Sequence, residues 1–319
     1  MKLLLALLIS GLSGLVFAQS WPGKPVRIIV AYPPGGGIDV IGRQIAERLT
    51  TSWGQPVLVE NRPGANTILA TELVAKAAPD GHTLLLTTDA TFSINPHLYA
   101  KLPFDTQRDF IPVTMMVLLQ QLLVAHPAQP YNTLNELIQA AKAKPGSINY
   151  ASYGSGSQPH LAGEMLKNKA GIDLVHIPYK GISLAVPAVM AGEVQLTFAG
   201  IATSMPQLKA ARIKPIAIGG TKRSPLLPDV PTFTELGFSE VETHAWFGLF
   251  LPTGSPREAV TRIYQDTKKI IDDPEYRQQQ LIERGYEVVG STPDQFVAYM
   301  QADRESRGRA VKVSGAKAE

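Results

Sequence analysis

The sequence predicts an α/β protein of two lobes with a ligand cleft between them, on three observations. Apolar strand patterns alternate with helical ones along most of the chain, which implies parallel sheets covered by helices. Two extended apolar segments, Phe110 to Val124 and Ala245 to Leu251, break that alternation and are suited to crossing between lobes. Each lobe also repeats one device, a strand ending in tyrosine, a glycine loop and a helix start: Tyr32 before Gly35-Gly-Gly37, and Tyr153 before Gly154-Ser-Gly156.

Taken in order, Val26 to Val30 reads as a strand, and Ile41, Ile45 and Leu49 mark one face of the following helix. Pro56 to Val59 is a short strand, Leu69 to Ala77 a helix, and Asp80-Gly81 punctuates before the strand Thr83 to Thr87. After the first crossing come helix Leu134 to Ala143, strand Ser147 to Ser152, helix Leu161 to Lys169, strand Leu174 to Ile177, helix Leu184 to Ala191 and strand Gln195 to Phe198. Helix Met205 to Ala211 and strand Ile213 to Gly219 follow, then a proline-rich return through Pro225, Pro228 and Pro231. From Pro256 to Ser306 the pattern is mostly helical, with starts at Asp273-Pro274 and Ser291-Thr292-Pro293-Asp294. The expected division is 19–120 with 243–319 in lobe 1 and 121–242 in lobe 2, the C-terminal helices packing on lobe 1.

The chain has 319 residues, 45% of them hydrophobic, enough for a sizeable core. A formal charge of +3 with no basic run or basic-aromatic stripe argues against nucleic acid as a partner. Lys2, the apolar run Leu3 to Ile9 and the small-x-Ala exit Val16-Phe17-Ala18 read as a signal peptide cleaved after Ala18, with 1–18 removed. The absence of cysteine excludes a lipid-modified cysteine, disulfides and thiol chemistry. An exported chain without disulfides points to a bacterial periplasm.

A glycine loop opening a helix can hold a nucleotide, a phosphate or a carboxylate, or be a plain connection. A P-loop would need Lys-Ser/Thr after its last glycine, and Gly42 is followed by Arg43-Gln44. The dinucleotide fingerprint is only partly present in Gly35-Gly-Gly37, with Glu60 near the ribose-binding spacing, and Pro33-Pro34 stiffens the turn. Two matched corners, with Asp39 and Ser157 where N-caps sit, would aim two helix dipoles into one gap and suit a small anion. The six histidines form no i, i+4 pair, and Ser155 lacks the nucleophile-elbow frame, so no metal site, no cofactor and no catalytic centre are expected.

Several runs together resemble one family: Tyr32-Pro-Pro-Gly-Gly-Gly-Ile-Asp39, Val59-Glu-Asn-Arg-Pro-Gly-Ala65, Ala75-Lys-Ala-Ala-Pro-Asp-Gly81 and Ile94-Asn-Pro96. Asn149-Tyr-Ala-Ser152, His160-Leu-Ala-Gly-Glu164, Val175-His-Ile-Pro-Tyr-Lys-Gly181, Lys222-Arg-Ser-Pro225, Pro228-Asp-Val-Pro-Thr232 and Trp246-Phe-Gly-Leu249 continue the match in order. The chain is similar to the Bug (TctC-like) extracytoplasmic solute receptors of tripartite tricarboxylate transporters. That resemblance implies a type II periplasmic binding protein fold, a monomer that closes on a small carboxylate, and delivery to membrane permease subunits. It implies binding positions at Tyr32, Pro33, Gly36, Gly37 and Asp39 in lobe 1, and at Tyr153, Gly154, Ser155, Ser157, His160 and Tyr179 in lobe 2.

The chain departs from the family pattern in places. Ala199-Gly200 stands where an acid is frequent, Asp89 falls in a run of small residues, and Ser306-Arg307 replaces a common tryptophan. Asp89 is either a pocket carboxylate for a cationic ligand group or a solvated helix cap. Tyr32, Phe92, Tyr153 and Trp246 either frame a flat ring or belong to the core. The expected function is carboxylate capture, the acid being a di- or tricarboxylate, an amino acid or an aromatic acid. An exported enzyme on the same scaffold and a sensor for a signalling partner are the alternatives.

Overall fold

A computed structural model describes residues 21–241 and 243–316; the signal-peptide reading lies outside them. The first lobe opens with β1 (Val26–Val30), α1 (Gly37–Trp53), β2 (Val57–Asn61), α2 (Ile68–Ala75) and β3 (Thr83–Thr88). A π-helical turn, Ala90–Ile94, leads into the short α3 (Asn95–Leu98). Then β4 (Phe110–Ala125) runs for 16 residues and carries the chain into the second lobe. There follow α4 (Leu134–Ala143), β5 (Asn149–Ser152), α5 (Gln158–Ala170), β6 (Val175–Pro178), α6 (Ile182–Met190), β7 (Leu196–Gly200), α7 (Ile201–Lys209) and β8 (Lys214–Ile218). The return strand β9 (His244–Pro252) precedes α8 (Arg257–Asp272), α9 (Pro274–Tyr276), β10 (Tyr286–Val288) and α10 (Pro293–Ser314).

The strands run in the order β2-β1-β3-β9-β4-β7-β5-β6, with β10 and β8 also on β4. As expected, β1 is parallel to β2 and β3, and β5 to β6 and β7. The two crossing strands instead run antiparallel to their neighbours. β4 pairs with β9 from Phe110↔Pro252 to Gln120↔His244, then from Gln121 onward with β7 and β8. One strand thus belongs to both halves, and its change of partner marks the waist of a two-lobe periplasmic binding protein fold.

Local chemistry accounts for the elements. α1 buries Ile41, Ile45 and Leu49, the stripe seen in the sequence, together with Ile38, each contributing about 1.5–3 kcal/mol of burial. It stops at Gly54, whose φ of 64° lets its N–H reach Thr50 O at 3.0 Å. α4 begins with a reciprocal capping box between Thr133 and Glu136, and α10 with one between Thr292 and Gln295. In the mostly helical tail the unforeseen element is β10, which pairs with β4 from Tyr286↔Leu119 to Val288↔Val117.

α10 also departs from the expected packing on the first lobe alone. Its first part meets β4 and the π-helical turn, while Val311 joins Leu161 of α5 and Ile94 in one small cluster. Asn168 Nδ2 of α5 donates to Val313 O at 2.7 Å, so the last helix spans both lobes.

Candidate functional site

Between the lobes lies a cavity of about 60 Å³, several times the roughly 10–15 Å³ that one water needs. Pleating places Leu119 and Gln121 of β4 on the cavity side, with Ala245 and Phe247 of β9 beside them. Tyr32, Pro33, Gly36, Gly37, Ile38 and Thr88 close it from the first lobe, and Tyr286 enters from β10. Tyr153, Ile182, Ser183, Gly200, Ala202 and Thr203 close it from the second. Contacts across the gap are tight: a methyl group on Gly36 would stand 3.4 Å from Ile182 Cγ2, and one on Gly181 2.9 Å from the Pro33 ring.

Three helix starts border this space. Gly36 caps α1, Gly181 caps α6 and Gly200 caps α7. In α1 the first helical bond runs from Val40 N to Gly36 O, so the N–H groups of Gly37 and Ile38 have no partner within the helix. The first N–H groups of α6 and α7 stand in the same position. The dipoles add partial positive charge at each start. No lining residue is Asp, Glu, Lys, Arg or His, so the positive potential comes from backbone alone.

The phenols supply neutral polar groups. Tyr32 Oη and Thr88 Oγ1 share a hydrogen bond of 2.9 Å, and Gln121 Nε2 donates to Tyr153 Oη at 2.9 Å. The Tyr32 and Tyr153 rings meet edge to face across the lobes at 6.0 Å. Tyr286 Oη lies against Gly37 at the start of α1 and makes no hydrogen bond among the described residues. Burial raises all three phenols above their ordinary range, which keeps them protonated at neutral pH.

Of the residues expected at the site, Tyr32, Pro33, Gly36, Gly37 and Tyr153 line the cavity. Asp39 does not, and it is not the N-cap of α1, a place taken by Gly36. Its carboxylate, in the first turn, accepts from Gly35 N at 3.0 Å, Asn61 Nδ2 at 2.8 Å and Arg43 Nε at 3.1 Å. Burial pushes its pKa up, but the bonds from Arg43, Gly35 and Asn61 outweigh that and hold it low. The acid of the first turn is thereby turned away from the cavity and paired with Arg43.

The second-lobe corner sits beside the cavity rather than on its wall. Ser157 is the N-cap of α5 as expected, yet its hydroxyl and that of Ser155 are buried without a partner. A side chain on Gly156 would overlap Leu98 of the first lobe, with Asn66 Nδ2 at 3.2 Å, so this corner abuts the opposite lobe. His160 Nδ1 accepts from Gly156 N at 2.8 Å, and its ring stacks on His176 at 4.0 Å. Tyr179 is partly buried against the core of the second lobe, and Ala199 is fully buried while its neighbour Gly200 faces the cavity. The second-lobe donors that border the cavity, at Gly181 and Gly200, were missed. Their signal was the same one used for the corners, a strand end followed by glycine and a helix.

Asp89 follows neither expectation. It lies one residue behind Thr88, 1% exposed, and neither lines the cavity nor meets solvent. Arg307 Nη2 of α10 stands 3.7 Å from its Oδ2, and Arg307 Nε 3.4 Å from Asp303 Oδ1. Trp246 Nε1 donates to Asp303 Oδ2 at 2.9 Å, and Arg307 Nη2 to His244 O at 2.7 Å. Burial lifts the Asp89 carboxyl to about 7, with Arg307 pulling it down and Asp303 pushing it up. Two departures from the family pattern, at positions 89 and 307, are therefore partners of each other. Phe92 and Trp246 belong to the core around Phe250, whereas Tyr32 and Tyr153 face the cavity.

Comparison with known proteins agrees with this architecture. The model of the tripartite tricarboxylate transporter family receptor matches residues 41–315. BugT of Bordetella pertussis is 31% identical over 309 residues, covering 97% of this chain and 94% of that protein. An R. palustris protein solved with adipate superposes with a TM-score of 0.89 at 30% identity, covering 93% of this chain and 99% of that one. MatC from Rhodopseudomonas palustris with bound malate gives a TM-score of 0.84 at 30% identity, covering 92% and 100%. On the reach of the family match and the shared two-lobe fold, the chain belongs to the Bug/TctC family of tripartite tricarboxylate transporter receptors.

Proposed function

We propose that this protein is a periplasmic receptor that captures a small organic carboxylate between its lobes and hands it to the permease subunits of a tripartite tricarboxylate transporter. It acts as a monomer, without catalysis, after removal of residues 1–18. One observation carries the reading: an interlobe cavity bordered by helix starts from both lobes and by neutral hydroxyls, with no ionised side chain among its described lining residues. Backbone N–H groups at helix starts suit carboxylate oxygens. The adipate and malate held by the two R. palustris proteins support the same class of ligand here. Among the described residues no helix is long and apolar enough to cross a membrane, and no cluster of His, Asp and Glu could hold a metal.

The test is a thermal-shift screen of mono-, di- and aromatic carboxylates with analysis of the ligand afterwards. A raised melting temperature with the ligand recovered intact supports the receptor; at 100 times Kd the stabilisation is about 2.7 kcal/mol. Turnover of any of these acids refutes it and favours the enzyme.

A further inference from the structure

The walls of the cavity say more about the ligand than its anionic end. Between the helix starts the surface is hydrocarbon: Leu119, Ala245, Phe247 and Ile182. The nearest acid of the wall strand, Asp89, lies behind Thr88 and faces Arg307. An ammonium group on a bound ligand would meet no carboxylate, and a buried unpaired cation is strongly disfavoured.

Among the polar side chains of this surface, Gln121 holds a fully buried atom that has no partner among the described residues. Gln121 is 1% exposed, its Nε2 is spent on Tyr153 Oη, and its Oε1 is buried with no partner. Its backbone is fixed at the waist, where Gln121 N donates to Thr243 O and Gly219 N donates to Gln121 O, each at 2.9 Å. Gln121 lines the cavity, and Tyr153 Oη can donate or accept, so the amide holds its place in either orientation and keeps one polar atom, an acceptor or a donor, unpaired. A buried amide oxygen left unpaired is costly, and a polar atom of the ligand would complete it.

We infer that the ligand is a carboxylate with an apolar body and no ammonium group, and that Gln121 selects among such acids by hydrogen-bonding a neutral polar atom on that body. This rests on the receptor reading above. The probes are matched by length: hexanoate, 6-hydroxyhexanoate and 6-aminohexanoate, with benzoate, 4-hydroxybenzoate and 4-(aminomethyl)benzoate as the flat counterparts. Calorimetry on the full mature chain should show the ammonium-bearing acids binding roughly 100-fold more weakly than the hydroxy acids in the series that fits. Gln121→Leu should weaken the preferred hydroxy acid about 10–100-fold while changing its unsubstituted parent less than about threefold. If Gln121→Leu does not fold, Gln121→Met carries the same comparison. Equal or tighter binding of the ammonium-bearing acids, or equal losses for hydroxy acid and parent, overturns this inference and leaves the receptor standing. Failure of every carboxylate in this set and in the wider screen overturns the receptor reading and the inference with it.

Discussion

Gly37 and Tyr286 meet at the start of α1, and substituting both should separate geometry from composition. A methyl group added at Gly37 would overlap the Tyr286 hydroxyl oxygen, while Tyr286 Cζ would stand at 3.5 Å, an ordinary contact. The ring cannot swing freely, because it is 7% exposed and packs on Phe247 at 5.9 Å. Gly37→Ala should therefore destabilise by about 1–3 kcal/mol through overpacking, offset by at most about 1 kcal/mol of helix propensity. Tyr286→Phe removes a hydroxyl that has no protein partner and should change stability by less than about 0.5 kcal/mol. The double variant puts a methyl group where the oxygen was and should return close to the parent, a coupling of about 1–2 kcal/mol. Urea denaturation of the four proteins measures this, with unchanged slopes confirming that the comparison is sound. Additivity within about 0.5 kcal/mol would refute the placement of Tyr286 over the α1 start, and with it the contribution of β10 to the cavity.

Gly36 has φ −77°, which any residue adopts, so Gly36→Val should fold normally yet jam against Ile182 on closure; loss of ligand-induced compaction in small-angle scattering, with the apo melting temperature unchanged, is the expected result. Arg307→Met strips the counter-charge from Asp89 and Asp303 and should cost about 3–5 kcal/mol in urea denaturation, much of it recovered when both acids become asparagine. Burial holds the folded Asp89 carboxyl at about 7, well above the ordinary carboxylate range, so the folded state holds the extra proton and stability falls as pH rises from about 4 to about 7; Asp89→Asn should flatten that part of the urea-midpoint profile. His176 behaves oppositely: burial, then His160 and Lys167, lower it to about 3, so its contribution is complete above 6.5 and lost as pH falls toward 3, a loss that His176→Gln should reduce.

Much of the scaffold was legible because its signals are local. α4 matches the expected Leu134–Ala143 because an apolar stripe and a capping box coincide there. β10 escaped because three residues, with Glu287 facing out, carry no period; the strand forms on the open edge that β4 offers, a tertiary fact. At the site, Tyr32, the triple glycine and Tyr153 were visible as strand ends before helices. Gly181 and Gly200 carried the same signal and were passed over because each is a single glycine. Capping rules alone put the helix start at Asp39, three residues past the actual N-cap Gly36, because the acid instead turns back on Gly35. Gly154, the matching glycine of the second corner, has a φ of 138° that would strain any side chain, so Gly36 is the better probe. The environment of Asp89 could not be read at all, because its partner comes from the last helix.

On the proposed reading, a grip made of helix starts suits a receptor that must also let go. Each start contributes about 0.3–1 kcal/mol when exposed and up to about 2 kcal/mol when partly buried, far less than a hydrogen-bonded arginine in the same closed space. Because α1 comes from one lobe and α6 and α7 from the other, opening removes donors from the ligand together rather than one by one. The acid can therefore favour the shut state only while both lobes touch it, which is the differential contact that any ligand-driven closure requires. Asp89, Arg307 and Asp303 are kept behind the wall, where they tie α10 to the π-helical turn and to β9 and line no part of the cavity. Rigid electrostatics thus fix the frame, and the weaker field of the backbone is what the ligand meets, so release needs only the lobes to part and no ion pair to break.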